Sequence, residues 1–379
     1  MDPTAVRTFV QDRLEGYLAE LQTLVEHESP TRDKERLDLL ADAIADRWTD
    51  LGGVVERVEN PEGGDHLVGR FFRAKPGRPA LVVGHFDTVW PVGTIARLPF
   101  RRDGDRLYGP GVYDMKASLI LCAAALEAMA ALGLSPGRPV TLLFTSDEEL
   151  GSRTSRGLIE ALAVESAHAL VLEPPLADGS LKTARKGVGR FGLTVEGKAA
   201  HAGVAPEQGA SAVVELARQI LAIQALNDPA AGTTVNVGLI AGGTTPNVVP
   251  AHASAEIDAR AVTIAGAQDL ERAMARLAAV TPGTRVTVTG GFNRPPLERS
   301  PAVVDLFEKA RRLAEPLGLA LTEGSTGGGS DGNFTAAVGA PTLDGLGTLG
   351  GGAHADDEHI RVDTLADRAA LLAALLLEL

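Results

Sequence analysis

Cysteine is almost absent: Cys122 is the only one in 379 residues. An intrachain disulfide and a cysteine-based zinc site are therefore both excluded. Cys122 itself lies in the apolar run LILCAAALEAM, the setting of an inert core thiol. Positive charge is also in deficit. Lys and Arg total 36 against 49 Asp and Glu, a net charge of −13, and the basic footprint of a nucleic-acid binder is missing. No apolar run reaches the roughly 20 residues needed to span a bilayer, so the late run AALLAALLLEL reads as a buried helix and no membrane partner is expected. The opening stretch MDPTAVRTFVQDRLEGYLAEL has charges throughout and no uninterrupted apolar segment of a secretory signal, and the expected compartment is the cytoplasm. There is no internal repeat and no low-complexity segment. What remains is ordinary for a soluble globular protein, with 45% apolar and 22% charged residues. At roughly 100–200 residues per domain, the length fits about two or three domains, large enough to bury a core without staples.

Helical spacing dominates the first 50 or so residues, where Val6, Phe9, Val10, Leu14, Tyr17 and Leu21 recur at threes and fours. Ser29-Pro30-Thr31 interrupts, and a second helix is expected to about Trp48. The runs VVERV, HLVGRFF, ALVVGH, VTLLFTS and ALVLE then read as strands, with helices at about Lys116–Leu132 and Thr154–Leu162. Short apolar strands alternating with helices predict an α/β sheet covered on both faces. Near residue 184 the pattern changes to β-α-β-β-α-β, a split βαβ unit of about 110 residues. Its parts are RFGLTVEG, a helix at about Ala210–Gln224, TTVNVGLIAG, ASAEIDARAV, a helix at about Gln268–Leu277, and RVTVTG. After Pro295-Pro296 the first pattern resumes. The expected organisation is one α/β domain, residues 1–183 and 294–379, interrupted by a smaller ferredoxin-like domain at 184–293.

Chemistry gathers at the predicted strand ends. ALVVG runs into His85-Phe86-Asp87, TLLFTS into Asp147-Glu148-Glu149, and ALVL into Glu173. The loop LYGPGVYDMK delivers Asp114, and GGGAHADDE delivers His354. In an open α/β sheet, ligands collect outside the carboxyl ends of the strands. Asp87, Asp114, Glu148, Glu149 and Glu173 in one cleft repel unless something compensates them. Two divalent cations would do so, and His85 and His354 add the nitrogen ligands that zinc favours. A carboxylate such as Asp114 is suited to bridge a pair of ions about 3.5–4 Å apart. In His85-x-Asp87, residues two apart on an extended segment point the same way, which lets Asp87 take the ring N–H of His85. Glu148 and Glu149 diverge on extended backbone, so one can bind metal while the other serves as general base.

The ordered set HFDTV, YGPGVYDMKAS, FTSDEELGS, LEPP, GKAAHAG, TPNVVPAHASAEIDAR, TGGGSDG and GGGAHADDE, from about residue 79 onward, resembles a family of dinuclear zinc hydrolases. That family includes glutamate carboxypeptidase, aminoacylase, acetylornithine deacetylase and succinyl-diaminopimelate desuccinylase. TGGGSDGNF and LEPP most resemble the glutamate carboxypeptidase branch. The resemblance implies a mixed-sheet catalytic domain with an inserted dimerisation or lid domain, hence a homodimer. It implies two Zn2+ per subunit, with Co2+ and Mn2+ fitting the same ligands. His85, Asp114 and Glu173 would hold one ion, and Asp114, Glu149 and His354 the other. Glu148 would be the general acid/base and Asp87 would orient His85. His201, Asn247 and Arg260 would bind the reacting carbonyl and the substrate carboxylate. Arg294 and Thr326, with Lys182, sit where the branch recognises an acidic side chain. One departure is DMKAS, where two glycines commonly follow the lysine and this chain has Ala117 and Ser118.

The implied activity is metal-dependent hydrolysis of the amide bond before a C-terminal amino acid, with Glu favoured and the attacking water activated by Glu148. N-acyl-amino-acid deacylation is the alternative at the same site. Substrates are thus small peptides or N-acyl-amino acids. Gly187–Gly192 also fits G-x-G-x-x-G, but it opens a strand rather than a helix, so dinucleotide binding is rejected.

Overall fold

Runs of β-branched and aliphatic residues form the longer central strands of a computed structural model that describes residues 3–379. In chain order these are β1 (Val54–Val58), β2 (His66–Phe71), β3 (Ala80–His85), β4 (Arg101–Asp103), β5 (Arg106–Tyr108), β6 (Val140–Thr145), β7 (His168–Val171) and β8 (Leu181–Arg185). They continue with β9 (Gly187–Glu196), β10 (Thr234–Gly242), β11 (His252–Ala261) and β12 (Arg285–Arg294), then β13 (Glu323–Thr326), β14 (Thr342–Leu343), β15 (Gly350–Gly351) and β16 (His359–Arg361). The chain divides into two units. The first is the chain up to Thr183 with Arg299–Thr326 and Ser330–Leu379, and the second is Ala184–Glu298 with Gly327–Gly329. This division carries residues 294–298 and 327–329 with the second unit, where Arg294 still pairs with Val188 across β12 and β9.

The main sheet of the first unit has the order β1-β2-β6-β3-β7-β14. β3 runs parallel to β6 and β7, and β14 parallel to β7, while β2 is antiparallel to β6 and to β1. Every residue of β3 and β6 is buried, as parallel strands covered on both faces require. The helix Ala117–Ala131 is apolar except at Ser118 and Glu127 and packs in the core with the final helix Leu365–Glu378. Cys122 is fully buried there, and burial pushes its thiol up to about 12, so it is inert. The expected first helix is in fact two, Thr4–Asp12 and Leu14–Glu26, because Arg13 leaves helical geometry at φ −114°. A cavity of about 360 Å³ lies among Leu24, Ile44, Trp48, Leu119 and Phe144, away from every strand-end carboxylate named above. Among the described residues no helix is long and apolar enough to cross a membrane.

In the second unit β9, β10, β11 and β12 form an antiparallel sheet of order β10-β11-β9-β12. The helices Ala212–Gln224 and Ile264–Ala275 complete the β-α-β-β-α-β order. β9 alternates buried and exposed residues, so only one face carries the core of Phe191, Leu193, Leu216, Ile223, Ile257 and Met274. Gly187–Gly192 lie within β9 itself, which removes any phosphate-cradling turn.

Glu215, fully buried on the first of these helices, closes this unit's loop at 280–281. It accepts from Val280 N at 3.0 Å, Thr281 N at 2.7 Å and Gln219 Nε2 at 2.6 Å. Burial raises this carboxyl, but the hydrogen bonds from Thr281, Val280 and Gln219 outweigh it and hold the group down at about 2, against 4.5 unperturbed. A depressed carboxylate stabilises the fold above its unfolded value, and that contribution is lost as pH falls from 4.5 toward 2. Glu215→Gln should therefore cost about 1–3 kcal/mol at pH 7 and little near pH 2. Urea unfolding at both pH values checks this, and an equal cost at both would contradict it.

Candidate metal centre and active site

Because β3, β6 and β7 are parallel, their carboxyl ends deliver side chains to one edge of the sheet. His85 ends β3 and is 1% exposed. Its Nε2 lies 3.2 Å from Asp114 Oδ1 and 3.7 Å from Glu173 Oε1. Its Nδ1 lies 3.1 Å from the Asp87 carbonyl oxygen and 3.3 Å from Asp87 Oδ1. His354 Nε2 lies 3.2 Å from Asp114 Oδ2 and 3.3 Å from Glu149 Oε1. The two oxygens of Asp114 thus face two different imidazoles. Ligand-capable atoms of His85, Asp114 and Glu149 lie within 4.8 Å of one another, as do those of His85, Glu148 and Glu173.

Glu148 and Glu149 are not on extended backbone. They form a single 3-10 turn, Glu148–Leu150, so their divergence comes from that turn rather than from strand geometry. Asp87 builds it. Its Oδ1 accepts from Glu148 N and its Oδ2 from Glu149 N, both at 3.2 Å, and Oδ2 also accepts from Thr31 Oγ1 at 2.8 Å. One buried carboxylate therefore orients both His85 and the two glutamates. Asp147 secures the far side of the turn, accepting from Thr154 N at 2.8 Å and Ser155 Oγ at 2.6 Å. Asp331 accepts from Thr145 Oγ1 at 2.9 Å and from the Ser152 hydroxyl. In the sequence Asp147 stands only beside Glu148 and Glu149, and Asp331 only within TGGGSDG. Their shared signal is an Asp beside several Ser and Thr, which becomes specific only in three dimensions.

Asp114 stands in a loop turn, Val112–Lys116, with non-helical backbone at φ −114° and ψ 88°. Lys116, 1% exposed, ties this loop down by donating to the carbonyls of Leu24 at 2.8 Å and His27 at 2.9 Å. Burial pushes its ammonium down to about 7. Glu173 is anchored through its carbonyl, which accepts from Gly347 N at 2.9 Å. A Cβ at Gly347 would overlap the Leu172 carbonyl and the Ser118 hydroxyl, so glycine is required by close approach. Ser118 is fully buried and faces Thr348 N at 3.4 Å, which shows how the DMKAS departure is accommodated in packing.

The electrostatics of this edge demand positive charge. The close carboxylates of Asp114, then of Glu149, hold His354 up to about 10. His85 is raised well above its ordinary value because Asp114 and Asp87 outweigh its burial. Glu149 is raised chiefly by burial, with Asp114 and Asp87 adding to it. Among the described residues, buried Glu149 Oε1 has no hydrogen-bond partner, and His354 Nε2 lies 3.3 Å from it. An orphaned buried carboxylate oxygen is costly unless a cation meets it. Carboxylate and imidazole donors of this kind fit divalent metal ions, zinc among them.

The remaining candidates sit elsewhere. Thr326 ends β13 in the first unit and is half-buried. His201, Asn247, Arg260 and Arg294 all belong to the second unit. His201 and Asn247 are exposed on adjoining loops, joined by the Ala202 N–H to Asn247 carbonyl bond of 2.9 Å. Arg260 is already engaged: Nε and Nη2 both reach the Asp258 carboxylate at 2.8 Å, and Nη1 donates to the Gly327 carbonyl at 3.3 Å. Arg294 is buried beside Gly329.

Comparison with known proteins agrees with this chemistry. Residues 81–378 match the model of peptidase family M20/M25/M40. Carboxypeptidase G2 of Pseudomonas sp. (strain RS-16) is 31% identical over 97% of this chain and 90% of its own length. Succinyl-diaminopimelate desuccinylase of Delftia acidovorans is 30% identical over 86% of this chain and 88% of its own. Among solved structures, aminopeptidase PepT of Bacillus cereus superposes with a TM-score of 0.78 at 25% identity, covering 96% of this chain and 98% of that one. The metallo-carboxypeptidase Sso-CP2 of Sulfolobus solfataricus shares the fold, with a TM-score of 0.73 at 19% identity over 95% and 98% of the two chains. With a family match over most of its length and an edge of carboxylates and imidazoles that calls for divalent cations, this chain is a metal-dependent hydrolase belonging to peptidase family M20/M25/M40.

Proposed function

We propose that the protein is a dinuclear zinc carboxypeptidase that hydrolyses the amide bond before a C-terminal amino acid, favouring Glu. The observation that carries the reading is Asp114, whose two oxygens face His85 and His354 separately. His85, Asp114 and Glu173 would hold one ion, and Asp114, Glu149 and His354 the second. The ions when bound supply Lewis acidity and a lowered pKa for the attacking water. Glu148 takes the proton of that water and returns it to the leaving amine. Asp87 keeps Glu148 in place through its backbone N–H and keeps the His85 ring oriented. His201 and Asn247 bind the reacting carbonyl and the free carboxylate. Arg260 joins them if the substrate carboxylate takes over the fork now held by Asp258, a bidentate geometry that guanidinium provides. Arg294 and Thr326, with Lys182, would select the acidic side chain.

Similarity to carboxypeptidase G2 over nearly the whole chain supports a C-terminal substrate. Similarity to succinyl-diaminopimelate desuccinylase supports the second reading, deacylation of N-acyl-amino acids at the same site. The deciding experiment is a panel of N-acyl-amino acids, and of dipeptides and folate-like conjugates ending in Glu, Asp, Ala or an aromatic residue. It is run on metal-stripped and on zinc- or cobalt-reloaded protein. The expected result is metal-dependent release of a C-terminal acidic residue. Release of short acyl groups alone would move the assignment to the deacylase, and no hydrolysis by loaded protein would refute both.

The second unit would mediate a homodimer. Its edge strand β10 exposes Leu239 at 62% and Ile240 at 67%, and the neighbouring helix exposes Leu221 at 73%. Exposed apolar strand edges invite pairing. Sedimentation should give twice the chain mass, and Leu239→Lys should reduce it to one. We place the protein in the cytoplasm, a reading that fractionation of its host tests.

A further inference from the structure

Glu358 is 2% exposed at the end of the loop that carries His354, and it faces four N–H donors. Its Oε2 accepts from Gly111 N and from Trp90 Nε1, each at 2.8 Å. Its Oε1 accepts from Tyr113 N at 2.9 Å and from Asp114 N at 3.0 Å. Two donors on each oxygen fit only a carboxylate, because an amide would turn an NH2 toward two of those donors. Three of the four belong to the backbone that delivers Asp114. That segment includes Gly111 at φ 72° and the non-helical Asp114, so a regular helical ladder does not hold it.

His354 lies four residues before Glu358 in the same loop, at φ 63°. Between them run the turn bonds Ala355 N to Gly352 O at 2.8 Å and Glu358 N to Ala355 O at 3.0 Å. One side chain therefore ties the loop of Asp114 to the loop of His354. We propose that Glu358 is a positioning residue that sets the approach of Asp114 Oδ2 to His354 Nε2, and with it the affinity of the cation these two share. The inference rests on the metal reading above. It adds an asymmetry. Loosening Glu358 displaces both Asp114 and His354 for one ion, but only Asp114 for the ion on His85 and Glu173, so the two sites should weaken unequally.

The test is titration of metal-free protein with Zn2+ against a chromophoric chelator, and with Co2+ followed by its visible absorption. Wild type, Glu358→Gln, Trp90→Phe and His354→Ala are compared. Outer partners of metal ligands typically change affinity about 10–100-fold. Glu358→Gln should weaken one ion by about that factor and the other by much less. The Co2+ band it loses at limiting metal should be the one His354→Ala also loses, and turnover should recover at saturating metal. A merely structural role would lower thermal stability without separating the two ions. If Glu358→Gln does not fold, Trp90→Phe decides, since it removes one donor of four and should weaken the same ion by a smaller factor. Wild-type affinities for both ions in the folded Glu358→Gln variant, or equal weakening of both, would overturn the proposal. Wild-type protein that binds neither ion would overturn the metal reading instead.

Discussion

Glu148→Gln should lower turnover by on the order of 10³- to 10⁴-fold, the upper part of the range for a lost general acid–base group. Its content of bound metal should stay at the wild-type value. The expectation comes from how Glu148 is held. Its backbone N–H is fixed to Asp87 Oδ1 at 3.2 Å within the turn Glu148–Leu150, whereas the neighbouring Glu149 is directed at His354. Glutamine keeps the volume and the backbone bond but cannot accept the proton of the attacking water. Glu149→Gln, by contrast, should lower metal content as well as rate. Measuring turnover alongside bound metal separates the two carboxylates. Comparable metal loss in both variants, or retained turnover in Glu148→Gln, would remove the assigned division of labour.

Stripping the metal should cost both activity and stability. Without cations, Asp114, Glu149 and Glu173 crowd one edge of the sheet, and Glu149 Oε1 has no hydrogen-bond partner. Bound at a hundred times its Kd, each ion adds about 2.7 kcal/mol, so two add about 5 kcal/mol. For a chain of 379 residues, at about 2.1 cal/mol/K of unfolding entropy per residue, that is roughly 6–7 °C in Tm. Activity should fall to background on exhaustive chelation and return with Zn2+ or Co2+. The loss of Tm should be absent in Asp114→Ala, which lacks the carboxylate proposed to face both ions. A chelated wild type with unchanged Tm and full turnover would exclude metal dependence.

Much of this was legible in the residues. Apolar runs such as ALVVGH and VTLLFTS carry their own evidence, since a strand buried on both faces must be continuously apolar. The ends of those runs carried His85, Glu148, Glu149 and Glu173, because side chains at strand ends are where a sheet can afford polarity. Helix boundaries were less legible. The spacing of Val6 to Leu21 continues across Arg13, where the backbone breaks. The helix expected from Thr154 begins at Arg156, because the Thr154 N–H and hydroxyl are taken by Asp147.

The roles of Asp87, Asp147, Asp331 and Glu358 show where pattern stops. Periodicity and strand ends locate residues that must be polar or apolar, and they locate the candidate ligands His85, Glu149 and Glu173, which follow apolar runs, while Asp114 and His354 lie in loops. They do not say which buried carboxylate accepts which N–H. Glu358 looked like one of several acids in a loop, yet it is buried while Asp356 and Asp357 remain exposed. That difference depends on Trp90 and the Gly111–Asp114 backbone, more than 240 residues away in sequence. Composition, the strand order of the split βαβ unit and the candidate ligating residue types were legible in the sequence alone, because each is written in local pattern. The distances at which Asp114 meets the two imidazoles, the turn that separates Glu148 from Glu149, the bond between Arg260 and Asp258, and the four donors that meet Glu358 were decided only by tertiary structure. Each is a hydrogen bond or ion pair whose energy depends on distance and burial, and neither exists until the chain has folded.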